Sequence, residues 1–130
     1  MISVTITTPR GKIIEEECSF VLVRGSDGER GYLTDHTPAM MNIEEGYVRL
    51  DFSDKSTFVA ISSGVMDLNK NKMTIIGQMA STGEVLEEAK ENLEKLILEI
   101  KEENKRKMID FVQAENELVK SIKKMKAGSL

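Results

Sequence analysis

Ile2, Val4 and Ile6 alternate with Ser3, Thr5 and Thr7, a period of two that turns one side of a β-strand toward a core and the other toward water. Pro9-Arg10-Gly11-Lys12 reads as a turn, residues 13–17 as a short strand, and residues 20–23 as a β-favouring run closed by Gly25-Ser26-Asp27-Gly28. The same grammar continues downstream. Residues 47–52 end at Ser53-Asp54-Lys55-Ser56, residues 57–61 lead into a turn at Ser62-Ser63-Gly64, and residues 73–79 follow the turn Asn69-Lys70-Asn71-Lys72. Many short strands parted by turn clusters predict an all-β sandwich or flattened barrel over residues 1–81.

After Ala80 the period lengthens. Ser81-Thr82-Gly83-Glu84 has the form of a capping box, in which the serine hydroxyl accepts from a backbone N–H and the glutamate reaches back, so a helix is expected to begin here. Leu86, Ala89, Leu93, Leu96, Ile97 and Ile100 fall three or four apart and share one stripe of that helix. Residues 104–107 are a polar interruption, and Asp110 with Gln113 has the form of a second N-terminal cap, with Ile109 as a hydrophobic staple. Phe111, Ala114, Leu118, Ile122 and Met125 make a second stripe ending near Gly128. Residues 84–103 carry a net charge of −5 and residues 104–130 a net charge of +4, so the two segments attract when laid side by side in opposite directions. An exposed ion pair contributes only about 0.2–1 kcal/mol, so charge selects the orientation while the apolar stripes supply the stability. The predicted fold is α+β: the sandwich followed by an antiparallel two-helix hairpin over residues 82–130. No Gly or Pro lies between residues 84 and 126, which leaves one unbroken helix as the alternative.

Composition narrows the function. Of the 130 residues 40% are hydrophobic, enough for a core, but two Tyr, four Phe and no Trp leave little for stacking on bases. A net charge of −4 and a pI near 5.1 lack the excess of Lys and Arg that phosphate backbones require, which argues against nucleic acid as a partner. The start, Met1-Ile2-Ser3-Val4, does not read as a signal peptide. No run of about 18 uncharged apolar residues occurs, so any link to a membrane is expected to pass through a partner. The lone Cys18 reads as a small buried hydrophobe in a reducing compartment.

Catalytic chemistry finds no foothold. His36 is the single histidine, which excludes multi-histidine metal sites, and Cys18 lacks neighbours that would hold zinc. The glycines of residues 25–31 are followed by neither Lys-Ser/Thr nor a helix, as a phosphate-binding loop would be. Glu15-Glu16-Glu17 alternates faces in a strand and reads as a solvated edge. Pro38, Met40, Met41 and Ile43 remain, beside His36: each alone reads as core, whereas the adaptable methionines as a cluster read as a protein interface. The expectation is a non-enzymatic protein that works through protein contacts. A free-standing adaptor with a helical arm and a small ligand-binding enzyme are the competing classes.

Three segments carry a family resemblance. Gly28-Glu29-Arg30-Gly31-Tyr32-Leu33-Thr34-Asp35-His36-Thr37-Pro38 has glycine, a short spacer, glycine, a hydrophobic pair, then histidine and proline; Gly46-Tyr47-Val48-Arg49-Leu50 and Ala60-Ile61-Ser62-Ser63-Gly64-Val65-Met66 follow at matching places. Together they resemble the epsilon subunit of bacterial-type F-type ATP synthase, over essentially the whole chain.

That resemblance implies a rotor component of the central stalk, peripheral on the cytoplasmic face of the bacterial cell membrane, with the gamma subunit, the c-subunit ring and the alpha/beta catalytic head as partners. By position it implies that Glu29 and Arg30 meet the c ring and that His36, Thr37, Pro38, Met40 and Met41 lie near gamma. It further implies an inhibitory hairpin that switches packing through Leu93, Ile97, Leu118 and Ile122, with Lys105, Arg106, Lys107, Lys120, Lys123 and Lys124 opposite a beta subunit when raised. Some relatives bind regulatory ATP on the lowered hairpin through aspartate and arginines. Here Glu87, Lys90, Lys120 and Lys124 stand at those places; charge signs survive but bidentate guanidinium geometry does not. Any such site would be weak, which argues against regulatory ATP binding, and no cofactor is expected to be required.

Overall fold

A computed structural model gives the structure of residues 1–128, with side chains described through Lys124. Eight strands precede one helix: β1 (Ile2–Thr8), β2 (Gly11–Cys18), β3 (Phe20–Gly25), β4 (Gly28–Leu33), β5 (Ala39–Asp51), β6 (Ser56–Asn69), β7 (Lys72–Gly77), β8 (Ala80–Gly83) and α1 (Leu86–Gly128). The α+β class and the N-terminal sandwich are as expected. The chain divides into two compact units, Met1–Leu96 and the rest of the helix from Ile97 onward.

Ile2, Val4 and Ile6 are fully buried along β1, as their alternation requires. The strands lie in the order β2-β1-β7-β6-β5-β3-β4, with β8 on β6; β1 and β7 run parallel. Closure into a sandwich depends on β6, which is long enough to serve both layers. Residues 58–61 pair with β8 and residues 64–69 with β7, while β5 runs antiparallel along both halves. Ser62-Ser63-Gly64, expected as a turn, is the crossing point inside this one strand. The Ser62 N–H donates to the Met79 carbonyl (3.0 Å) and the Gln78 N–H to the Ser63 carbonyl (2.9 Å), so hydrogen bonds to flanking chain hold the serines extended. Val21, Val23, Tyr32, Val48 and Leu50 join Ile2, Val4, Ile6, Met66, Leu68, Met73 and Ile75 in one apolar core.

The helical half differs from the expected hairpin. α1 is continuous, so the unbroken-helix alternative is the one the structure adopts. Asn104 and the basic residues after it continue the helix, because exposed polar residues cost a helix only tenths of a kcal/mol each and nothing here removes a backbone N–H. Ser81 does not cap it; it lies in β8 opposite Ala60. The first intrahelical bond runs from the Ala89 N–H to the Val85 carbonyl (3.2 Å), and Glu88 accepts from the Glu84 N–H at 3.3 Å. The back-reaching acid is therefore Glu88 rather than Glu84, and Glu87 and Glu88 place negative charge in the first turn, where the helix dipole favours it.

The first turns of α1 pack on the strand that precedes them. Ala89 is fully buried and Asn92 Nδ2 donates to the Thr82 carbonyl at 2.9 Å. A side chain at Gly83 would put its Cβ 2.5 Å from the Ala89 nitrogen, so only glycine allows this approach. From Leu98 onward the apolar residues Met108, Ile109, Phe111, Val112, Leu118, Val119 and Ile122 are exposed. Met125, assigned to the second stripe, lies outside the described side chains.

Candidate partner-binding surface

The segment between β4 and β5 carries His36, Thr37 and Pro38, all exposed, yet its backbone is pinned. Asp35 has a φ of 63°, in the left-handed region that Asp and Asn tolerate best after glycine. Its N–H donates to Asn71 Oδ1 (2.7 Å) and the Asn71 amide donates back to Asp35 Oδ1 (3.0 Å). Asn71 and Lys70 occupy the two-residue turn between β6 and β7, with φ of 61° and 50°, the pair of positive angles that the right-handed twist of a hairpin favours. The His36 N–H donates to the Leu33 carbonyl (3.3 Å), its Nδ1 lies 2.6 Å from the Thr37 carbonyl oxygen, and its ring meets Tyr32 edge-on at 4.9 Å. The histidine is thus held in place by three contacts while staying accessible.

Strand alternation then splits the methionine pair. Met40 is 70% exposed whereas Met41 is 7% exposed and accepts the Tyr32 hydroxyl at 2.8 Å. Neighbouring residues of a strand face opposite sides, so Met41, expected beside Met40 in the contact, is buried and supports the surface from within the core. Burial raises the Tyr32 hydroxyl above its usual pKa, so it stays protonated and able to donate.

Met40 has apolar company that the sequence reading missed. Ile76 (63% exposed) and Val65 (42% exposed) are cross-strand partners, and Val65 sits opposite Asn42, two residues along β5 from Met40. The signal lay in residues 75–76 and 65–66, where apolar side chains occupy both parities of a strand, as they do when both faces are covered. Beside this row a shallow depression of about 510 Å³ is lined by Thr7, Pro9, Ser63, Thr74, Ile76 and Gln78 among others.

Glu29 and Arg30 lie exposed at the start of β4. The Tyr47 hydroxyl donates to the Glu29 carboxylate, and this bond holds the tyrosine above its usual pKa. The helix residues are dispersed. Leu93 and Ile97 are half-buried; Lys105, Arg106, Lys107, Leu118, Lys120, Ile122, Lys123 and Lys124 are exposed, as are Glu87 and Lys90.

Cys18 is buried, as read from its type, and burial is the main cause that pushes its thiol from 9.0 up to about 11. The folded thiol therefore keeps its proton at a pH where the unfolded one loses it. The contribution of Cys18 to stability is complete below pH 9 and is lost as the pH rises toward 11, a loss of at most about 2–3 kcal/mol. Urea denaturation at pH 8 and pH 10.5 is expected to show a steeper decline for the wild-type chain than for Cys18→Ala. Equal declines would mean that the thiol is open to solvent.

Among the described residues no group of His, Cys, Asp and Glu is placed to hold a metal ion, and no helix is long and apolar enough to cross a membrane. Residues 1–83 match the β-sandwich domain of the ATP synthase delta/epsilon chain. Over its length the chain is similar to the ATP synthase epsilon chain of Desulfitobacterium hafniense, with 31% identity covering 95% of this chain and 92% of the relative. It is equally similar to that of Herminiimonas arsenicoxydans, with 31% identity, 95% and 90%. Among solved structures, a chain of the Euglena gracilis mitochondrial ATP synthase has the same fold with a TM-score of 0.58 and 23% identity, covering 62% of this chain and 52% of that one. The core, the strand pattern and the relatedness along nearly the whole length agree, and the chain belongs to the ATP synthase delta/epsilon chain family.

Proposed function

We propose that this chain is a non-catalytic central-stalk subunit of an F-type ATP synthase, passing rotation of the c ring to the catalytic head through gamma and restraining ATP hydrolysis with its C-terminal helix. The observation that supports this most is the row of Met40, Val65 and Ile76 on the outside of the sandwich, next to a histidine loop locked by Asp35 and Asn71. A soluble domain leaves a row of large aliphatic side chains uncovered where a partner covers them. Torque needs that partner to be gripped by something stiff. His36, Thr37, Pro38 and Met40 with Val65 and Ile76 are the residues assigned to gamma, and Glu29 and Arg30, at the tip of the β3–β4 hairpin, to the polar loops of the c ring.

The helix is the regulatory element in this reading. Its stripe through Leu93, Ile97, Leu118 and Ile122 exchanges partners between two packing states, and its basic residues Lys105, Arg106, Lys107, Lys120, Lys123 and Lys124 face acidic surface on a beta subunit. No resident cofactor is assigned, and regulatory ATP has no part in the proposal.

The surface is tested by Met40→Glu combined with Ile76→Glu in the full chain. Burying two carboxylates in an apolar contact is expected to weaken binding to the gamma subunit by about 100-fold or more, read by titration calorimetry, with the circular dichroism spectrum unchanged because both positions are exposed. Undiminished binding would remove this face from the interface.

A further inference from the structure

The helix beyond Ile97 presents Met108, Phe111, Leu118 and Ile122 among its exposed side chains, and the spacing of these four is that of a coiled-coil seam. Ile97, Asn104, Phe111 and Leu118 recur every seven residues, and Lys101, Met108, Glu115 and Ile122 follow each of them by four. These are the two seam positions of a heptad. We propose that this face binds a second copy of the same chain, helix against antiparallel helix, over residues 97–122, a contact about 39 Å long at the helical rise per residue.

The choice of a second copy rests on self-complementarity. Running the second helix in the opposite direction about the midpoint between Met108 and Phe111 pairs Met108 with Phe111 of the second copy, and Ile97 with Ile122. In the same register Asn104 meets Glu115 in two symmetry-related layers, and in each the amide donates to the carboxylate. Lys101 lies beside Leu118 and covers it with its aliphatic stem while its ammonium reaches water. A parallel dimer in register would instead stack Glu115 on Glu115 and Lys101 on Lys101, burying like charges. Charge within the contact makes the same choice, because Lys105, Arg106 and Lys107 then run alongside Asp110 and Glu115 of the other chain. An unrelated partner would have to reproduce both the polar layers and the charge pattern; a second copy carries them already. Since one seam cannot be covered twice, a dimer of the free chain withholds this face from every other contact, the regulatory one proposed above included, although the seam itself does not depend on that proposal.

Sedimentation of the full chain from about 1 to about 300 µM tests this, the range in which a short seam with polar layers is expected to associate. The expected mass rises from 14.6 kDa toward twice that value, and Phe111→Glu moves the midpoint at least about 10-fold higher. A monomer across the whole range overturns the proposal. Orientation is read in a Cys18→Ser background from Ile97→Cys and Ile122→Cys chains under mild oxidation. The antiparallel seam gives disulfide dimers only when the two variants are mixed; dimers formed by each variant alone overturn it.

Discussion

Gly46→Val is expected to lower the melting temperature of the sandwich by about 10 °C or more. A Cβ on residue 46 would stand 2.0 Å from the Arg24 carbonyl oxygen and 2.8 Å from a methyl of Ile43, and the first of these is backbone that cannot rotate away. Moving β5 to relieve the clash would break its ladder with β3, where Tyr47 pairs with Arg24 and Val48 with Val23, and both valines are fully buried. A forced shift of this kind in a packed core costs about 3 kcal/mol or more, a large part of the roughly 5–15 kcal/mol that holds a domain of this size. Gly28→Ala is the contrast: its φ of 108° strains a side chain, but nothing lies within 4 Å, so a loss of about 1 kcal/mol is expected. Near-ultraviolet circular dichroism and thermal melts separate the two, and a Gly46→Val chain melting within a few degrees of wild type would refute the packing of β5 on β3. Gly46 opens one of the segments that carry the family resemblance, and this contact is a physical reason for glycine there.

A chain stopped after Leu96 is expected to bind gamma as the full chain does while ATP hydrolysis by the reconstituted complex rises several-fold. The stop keeps the compact unit Met1–Leu96 intact, including buried Ala89 and the Asn92–Thr82 hydrogen bond. It removes the length of helix assigned to restraint. Stopping after Ala80 would be a poorer experiment, because Ser81, Thr82 and Gly83 pair with Ala60, Val59 and Phe58 and would be lost with the helix. Equal hydrolysis with the full and shortened chains would show that the helix does not restrain the head. Loss of gamma binding on shortening would move the helix from regulation to assembly.

Particular residues show what is legible in the sequence. The period of two in β1 identified Ile2, Val4 and Ile6 as core, and Asn69-Lys70-Asn71-Lys72 was recognisable as a turn because the residue types that tolerate positive φ stood together. Met40 and Met41 were legible as a pair but not as one outward and one inward side chain, since that depends on where β5 starts, and no periodic signal marked residues 39–46. The Asp35–Asn71 pairing could not be read at all: two polar residues 36 apart look like independent turn formers until the sheet order brings their loops together. Ser81 shows the opposite failure. Its local cap signature is real, but pairing with Ala60 offers the backbone a ladder, and the cap moves to the next residues able to serve.

By itself the order of side chains determined the strand and helix periods, the apolar set that makes the core, the charge gradient along the helix, and the motifs that carry the family resemblance. All of these are local or additive properties, set by a residue and its near neighbours. The tertiary structure alone decided which layer each half of β6 joins, that Val65 and Ile76 extend the surface begun by Met40, and that residues 86–128 form one helix instead of two. Those outcomes turn on competition between distant segments for the same hydrogen bonds and the same apolar surface, and only the folded chain resolves that competition.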